Sequence, residues 1–238
     1  LYYFPSAVAP GAPHRSVSFT VPTGNFGDIF AGYVAKKMGL PIERLVIATN
    51  ENDILARTLD TGRYELRGVK ATQSPSLDIQ VSSNFERLLF DAYDRDAGAI
   101  RNLMARLDQA KAFDIEAGPL AAIRRDFDAA AVGEKQTADE IARVYKASGY
   151  ILDPHSAVGV AAGFPALAKN QHTPMIVAGT AHPAKFPDAI QKATGVHPAL
   201  PAHLADIMER KERFDVVKND IGAVESFIRA RARALTAA

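Results

Sequence analysis

Cysteine and tryptophan are both absent from the 238-residue sequence. Without cysteine the chain has no disulfide, no thiolate zinc site, no iron–sulfur cluster and no cysteine nucleophile. A dominant charge is also missing, since 28 basic side chains stand against 27 acidic ones for a net charge of +1. No global field then draws the chain to nucleic acid or to an anionic membrane. No apolar run approaches the roughly 20 residues that span a bilayer. No secretory signal is visible, so the expected compartment is the cytoplasm. The six histidines are scattered and show no His-Glu-x-x-His or similar metal spacing. What is present is an ordinary globular composition, 47% hydrophobic and 23% charged, which argues against disorder over most of the length. The opening Leu1-Tyr2-Tyr3-Phe4 reads more like the middle of a domain than its beginning.

Hydrophobic periodicity organises the chain. Val17 to Val21 is rich in β-formers and reads as a strand. The turn-forming run Pro22-Thr23-Gly24-Asn25-Phe26-Gly27 leads into a helix from Asp28 to Met38, ended by Gly39-Leu40-Pro41. Leu45 to Thr49 suits a buried parallel strand, followed by a helix through Leu59 that stops near Gly62. Strand, helix, strand, helix is the signature of an α/β layer fold. Ser83-Asn84-Phe85-Glu86 reads as a capping box opening a helix to about Phe113, broken near Gly98. Thr137 to Glu140 reads as a second capping box, with Gly149 closing its helix. Ala157 to Lys169 is expected as a helix kinked or broken at Pro165. Met175 to Gly179 is expected as another buried strand, and Ile207 to Ala234 as a helix with Arg229, Arg231 and Arg233 at its end. The expected division is 1–82 as α/β, 83–150 as a helical insertion, and 151–238 as the return of the α/β domain.

Three clusters could carry chemistry. The first is the turn Thr23-Gly24-Asn25-Phe26-Gly27-Asp28 between strand and helix, where backbone N–H groups and the helix N-terminus favour an anion. It lacks the lysine of a P-loop and the third glycine of the dinucleotide fingerprint. Asp28 is awkward for phosphate and could instead partner the helix dipole. The second is the hydroxyl-rich stretch from Thr72 to Asp78 with Ser82-Ser83-Asn84, which spacing alone reads as a hydrophilic loop and a cap. The third is Gly179-Thr180-Ala181-His182, just past a strand end where α/β folds collect ligands. Asp153-Pro154-His155-Ser156 resembles a hydrolase triad only by residue type, and no Gly-x-Ser-x-Gly accompanies it.

Six ordered blocks together resemble the threonine synthase family. They are Phe19 to Tyr33, Ala48 to Leu55, Ser74 to Ile79, Ser82 to Phe90, Asp153 to Gly159, and Thr180 to Phe186. The family's lysine for pyridoxal 5'-phosphate lies in a Ser-Phe-Lys-Asp type segment, and none of the eleven lysines here has that context. The resemblance therefore covers roughly the C-terminal half of such an enzyme, with Leu1 to Ala9 as the end of a helix. It implies the fold-type II architecture shared with the tryptophan synthase β family, a parallel sheet flanked by helices in a large domain. It implies conversion of O-phospho-L-homoserine and water to threonine and phosphate by the intact, cofactor-loaded carbon–oxygen lyase.

The resemblance also implies roles. Gly24, Asn25, Phe26, Gly27 and Asp28 correspond to the loop holding the cofactor phosphate, and Thr180 to the residue facing the pyridine nitrogen. Ser76, Asp78, Ser83, Asn84 and Arg87 are weaker candidates for the substrate side, with a structural ion pair as the other reading of Arg87. The Schiff-base lysine would lie in the missing N-terminal portion, so this chain alone is expected to be inactive. Two alternatives stay open: another fold-type II lyase such as a hydroxy-amino-acid dehydratase, and a lysine-less homologue that binds without turnover.

Overall fold

The computed structural model describes residues 2–232. They fall into two compact units, Leu1–Ala199 and Leu200–Ala238. The first unit opens with α1 (Tyr3–Val8), β1 (Val17–Pro22), α2 (Gly27–Lys37), β2 (Ile42–Thr49) and α3 (Ile54–Thr61). Next come β3 (Arg63–Glu65), a 3-10 turn at Pro75–Leu77, α4 (Phe85–Ala92), α5 (Ala97–Ala110), β4 (Ala112–Asp114), α6 (Ala117–Asp126) and β5 (Phe127–Ala131). The unit finishes with α7 (Glu134–Ser148), α8 (Pro154–Lys169), β6 (Met175–Val177) and α9 (Pro187–Thr194). The helix expected over Leu1–Ala9 is present as α1, and Leu1 itself lies outside the described residues.

Four strands form a parallel sheet in the order β5-β2-β1-β6. The central strand β1 is buried at every position, as a parallel strand covered on both faces must be. Helix α8 packs across all four strands. It can lie close because Gly159 and Gly163 share one face: a Cβ on Gly159 would stand 3.1 Å from Val177, and one on Gly163 3.0 Å from Thr20. The buried Thr20 hydroxyl donates to the Gly159 carbonyl at 3.0 Å. The strands β3 and β4 pair antiparallel as a separate ribbon.

Several expectations need correction. The stretch 83–150 is helical for the most part, yet it also supplies β5, an edge strand of the main sheet. Arg44 of β2 fastens that edge, donating to the Phe127 carbonyl at 2.8 Å and to the Asp128 carboxylate at 2.9 Å. The Ser83–Glu86 capping box does not form, because Asn84 takes the cap position and its side-chain amide serves Asn25 instead. The helix break falls earlier than Gly98, at Tyr93–Asp96, where Asp94 and Arg95 adopt positive φ and Asp96 caps α5 through Gly98 N at 2.7 Å. Thr137 is not a cap: α7 already begins at Glu134, and the Thr137 hydroxyl donates back to the Gly133 carbonyl. Helix α8 runs unbroken through Pro165, which lies exposed just past the buried stretch of the helix that ends at Gly163.

The second unit holds a 3-10 turn at Ala202–Leu204 and helix α10 (Ile221–Arg231). The helix expected from Ile207 is thus much shorter. It starts where Asp220 accepts the Ala223 N–H at 2.8 Å, and the charged run Lys211-Glu212-Arg213 upstream offers no apolar face. Arg233 and Ala234 lie outside the described residues.

Candidate functional site

The strand order places the carboxyl ends of β1 and β6 side by side, because Thr20 pairs with Val177 and the Ala178 N–H bonds the Thr20 carbonyl at 2.9 Å. The chain leaves β1 toward β2 on one side and returns as β6 on the other. Such a reversal is where open α/β sheets leave a ligand crevice. Two of the three sequence clusters occupy it: the loop after β1 and the loop after β6.

The loop after β1 is tightly built. Thr23 N–H bonds the Ala48 carbonyl at 2.8 Å, and its hydroxyl bonds the Val21 carbonyl at 2.6 Å. A side chain on Gly24 would drive its Cβ into the Ser76 carbonyl, far inside van der Waals contact. The Gly24 carbonyl accepts from the Ser82 hydroxyl at 2.7 Å, and the Asn25 carbonyl accepts from both Asn84 nitrogens at 3.0 Å. Phe26 is left-handed, with φ 68°. That conformation costs a bulky L-residue about 1–2 kcal/mol. It is held there because the ring is buried against Phe85, 5.3 Å between centroids and edge-on, and against Phe127 at 5.8 Å. Asn25 Oδ1 occupies the Gly27 N–H at 2.8 Å. Among the described residues no acceptor takes the N–H groups of Gly24, Asn25 and Phe26. Three amide donors without protein partners, on a turn that opens a helix, are the arrangement an anion completes.

Asp28 is separated from that role. Its carboxylate and carbonyl both accept from the Tyr3 hydroxyl, at 3.0 and 2.9 Å. The charge thus sits in the first turn of α2, where it complements the helix dipole.

The loop between β3 and α4 divides into a structural part and a bare part. Asp78 is a hub: its carboxylate accepts from Asn50 at 2.7 Å, Asn52 at 3.0 Å, and Thr72 through its hydroxyl at 2.7 Å and its N–H at 2.8 Å. Asn50 and Asn52 are buried, so this network satisfies groups that would otherwise be costly to bury. Ser76 and Ser83 are exposed, with no side-chain hydrogen bond among the described residues. Arg87 makes no ion pair there; its guanidinium lies 5.8 Å from the Phe30 ring centroid. Asn84 and Ser76 therefore join the β1 loop, whereas Ser83 and Arg87 have no bond to it.

The loop after β6 is the opposite of the loop after β1. Thr180 is exposed, and its hydroxyl has no partner among the described residues. Beside it runs the start of α8. A Cβ on Gly179 would come within 3.9 Å of Ser156 Oγ. The sequence reading set Asp153-Pro154-His155-Ser156 aside as a triad by residue type only, and the structure makes a buried constellation of it. Asp153 caps α8 by accepting the His155 N–H at 2.9 Å, and it also accepts from the Ser156 hydroxyl. His155 Nδ1 is 3.0 Å from Asp153 Oδ1, while His155 Nε2 accepts the Ser76 N–H at 3.2 Å. Burial pushes the Asp153 carboxyl up, but the bonds from His155 and Ser156 outweigh it and hold it below the ordinary range. The missed signal was Asp-Pro at 153–154, an N-cap followed by proline at the first helical position.

Comparisons with known proteins bear on the family and the fold. The family model described as threonine synthase, C-terminal, matches residues 156–228. A threonine synthase from Pseudomonas aeruginosa is 49% identical over 96% of this chain and 49% of its own length. One from Eremothecium gossypii is 42% identical over 95% of this chain and 49% of its own. Among solved structures, a PLP-bound threonine synthase from Brucella melitensis matches with TM-score 0.88 and 57% identity, covering 98% of this chain and 50% of that one. The yeast threonine synthase matches with TM-score 0.83 and 39% identity, over 95% and 50% respectively. The chain spans about half the length of the relatives it matches. Its architecture is that of fold-type II enzymes, a parallel sheet flanked by helices, and nothing in the matches favours a dehydratase or a non-catalytic homologue. By sequence and by fold, the chain resembles threonine synthases over nearly its whole length, and the family's C-terminal model matches its residues 156–228.

Proposed function

We propose that this chain is the phosphate-loop and ring-facing portion of a pyridoxal 5'-phosphate enzyme that converts O-phospho-L-homoserine and water to L-threonine and phosphate. The observation that carries this reading is the strained turn at Phe26 with the Gly24, Asn25 and Phe26 amides left without protein acceptors. Those donors fit a phosphate ester, which offers acceptors only. Gly24 and Phe26 keep the turn rigid, and Asn84 fixes the Asn25 carbonyl away from the anion's side of the peptide. Asp28 keeps its charge on Tyr3. Thr180, bare at the end of β6, would face the pyridine nitrogen with a neutral hydroxyl. A hydroxyl there gives the ring less help toward protonation than a carboxylate would. When bound, the cofactor supplies the electron sink that makes protons on the substrate's carbons removable.

Ser76, Ser83, Asn84 and Arg87 form the substrate side of this proposal, Arg87 as a cation for the leaving phosphate. Asp78 is withdrawn from direct contact in this reading, since its carboxylate is already committed to Asn50, Asn52 and Thr72. No residue of this chain takes the place of the cofactor lysine. The partner of the chain is then the N-terminal portion of the same polypeptide, and the compartment is the cytoplasm.

The test has two arms. Incubated with O-phosphohomoserine and cofactor, the 238-residue chain should release no phosphate above background, and repeated turnover would overturn the inactivity. The same chain should quench or shift pyridoxal 5'-phosphate absorbance, and inorganic phosphate should compete. Absence of any competition by phosphate would remove the loop from the proposal.

A further inference from the structure

His155 sits deep in the protein, 3% exposed, yet nothing so far gives it a task. Its hydrogen bonds settle its state. The Ser76 backbone N–H can only donate, so Nε2 at 3.2 Å must be the acceptor. The ring's proton then lies on Nδ1, which donates to Asp153 Oδ1 at 3.0 Å. The imidazole is neutral and of one tautomer. Its face is fixed by Phe186, 5.0 Å away between centroids.

The far end of this chain of contacts is the candidate phosphate loop. Ser76 receives the imidazole through its N–H, and its carbonyl is the atom against which Gly24 is pressed. The sequence blocks containing Asp153, Ser76 and Phe186 thus meet around one ring, and Gly24 lies beyond Ser76. We propose that His155 is a positioning residue for the phosphate loop: a neutral strut that carries the rigidity of the α8 N-terminus through Ser76 to Gly24. The inference rests on the reading of Gly24–Phe26 as phosphate donors. Asp153 fixes the tautomer, Phe186 fixes the ring plane, and the imidazole lone pair fixes the height of the Ser76 peptide. A donor loop whose floor can drop holds its anion less well, because the amides must be reordered on binding.

Three variants separate this from a general structural role. His155→Phe keeps the ring against Phe186 and loses both nitrogens. His155→Asn keeps a donor for Asp153 but falls short of Ser76. His155→Gln carries an acceptor out to the Nε2 position. The readouts on the 238-residue chain are amide hydrogen exchange at Ser76 and Gly27, whose N–H groups are hydrogen-bonded, and the Kd for pyridoxal 5'-phosphate. Phe and Asn should speed exchange at those amides and weaken binding by roughly tenfold, the scale of one hydrogen bond. Gln should restore both to within about threefold. A positioning role predicts that Asn fails and Gln succeeds; a role confined to capping α8 predicts the reverse, and that order would overturn the proposal. Folded Phe and Asn variants with unchanged exchange at Gly27 and unchanged pyridoxal 5'-phosphate affinity would overturn it equally. The wild-type chain gives an arm that needs no variant. Its ¹⁵N spectrum should show His155 as the neutral Nδ1–H tautomer, and an Nε2–H tautomer or an imidazolium at neutral pH would end the inference. If the wild-type chain binds no pyridoxal 5'-phosphate, the proposed function fails, and the exchange and tautomer results still decide the role of His155.

Discussion

Two loops end neighbouring strands of the same sheet, and they are built on opposite principles. The loop after β1 spends nearly every polar group on its own framework: Thr23, Gly24, Asn25 and Gly27 are all bonded to protein, and only three amides are left over. The loop after β6 spends almost none, and Thr180 reaches solvent with a free hydroxyl. A loop that must present backbone donors has to be held by its neighbours, since a backbone cannot be repositioned by a rotamer. A loop that presents one side chain needs only to end at the right strand. The difference implies that mutations around the first loop act through stability and placement, whereas those in the second act on ligand alone.

The sharpest test of that contrast is Asp78→Ala. Removing the carboxylate leaves the Thr72 N–H without an acceptor and takes one hydrogen bond each from the buried Asn50 and Asn52, which keep Ser74 and Lys70. A loss of about 1–3 kcal/mol in urea-derived stability is expected, from the unpaired Thr72 N–H and the hydrogen bonds lost to the carboxylate. A loss below about 0.5 kcal/mol, the range of ordinary surface changes, would mean that the network is not what holds this wall. Gly24→Ala comes next. Its methyl would collide with the Ser76 carbonyl, a backbone atom that cannot rotate away. Overpacking of this kind costs about 1–3 kcal/mol, and pyridoxal 5'-phosphate affinity, read by fluorescence titration, should fall with it. Intact affinity in a destabilised Gly24→Ala protein would separate the loop's stability from its proposed role.

The legibility of these features in the sequence followed their physics. β1, α2, β2 and α3 were readable because each carries a clean apolar pattern next to glycine or proline punctuation; β6, expected as a buried strand to Gly179, is a half-buried edge strand that ends at Val177. β5 was not, because Phe127-Asp128-Ala129-Ala130-Ala131 has little β-propensity of its own; it is a strand because Arg44 and the edge of β2 make it one. The second capping box misled for a related reason. Thr137 and Glu140 have the right spacing, but Glu140 is taken by Arg143 at 2.6 Å and the helix begins a turn earlier. At the site, the loop after β1 was legible as a strand-to-helix turn from its glycines and the family blocks. Asp28's withdrawal to Tyr3, Asp78's commitment to its asparagines and the whole Asp153–His155–Ser76 relay were not. Each depends on a partner distant in sequence, 25 residues for Tyr3 and 79 for Ser76. Local pattern carries no information about such pairings.

A graded prediction concerns Asp153, which belongs to the framework of the first loop but stands beside the second. Its folded carboxyl lies below the ordinary range, so it contributes stability that is fully present above the unfolded value of about 3.9. That contribution disappears as pH falls through the lower folded value. Asp153→Asn should therefore be less stable than the parent near neutral pH, and the gap should close under acid. Thermal melts of both proteins from pH 7 down to pH 3 would show it. A gap that stayed constant to the acid end would mean that the carboxylate's charge is not what His155 and Ser156 require.

The smallest expected change in stability is at Thr180, and it is the most informative about function. Its side chain is exposed and makes no hydrogen bond to the described protein, so Thr180→Val should alter stability by less than about 0.5 kcal/mol, as for a surface position with no partners. If the second loop exists to present this hydroxyl, the same variant must still change the bound cofactor. In the polypeptide that includes the N-terminal portion, Thr180→Val should shift the cofactor's absorbance and the partition between productive elimination and side reactions. Thr180→Asp should shift both further, because an anion beside the pyridine nitrogen favours its protonated form. The ordering is the discriminating result. A stability loss in Thr180→Val comparable to that of Gly24→Ala would place Thr180 in the framework and erase the contrast between the two loops. Unaltered spectra in both Thr180 variants would leave the hydroxyl without a ligand to meet, and the role of facing the ring would pass to another residue of the crevice.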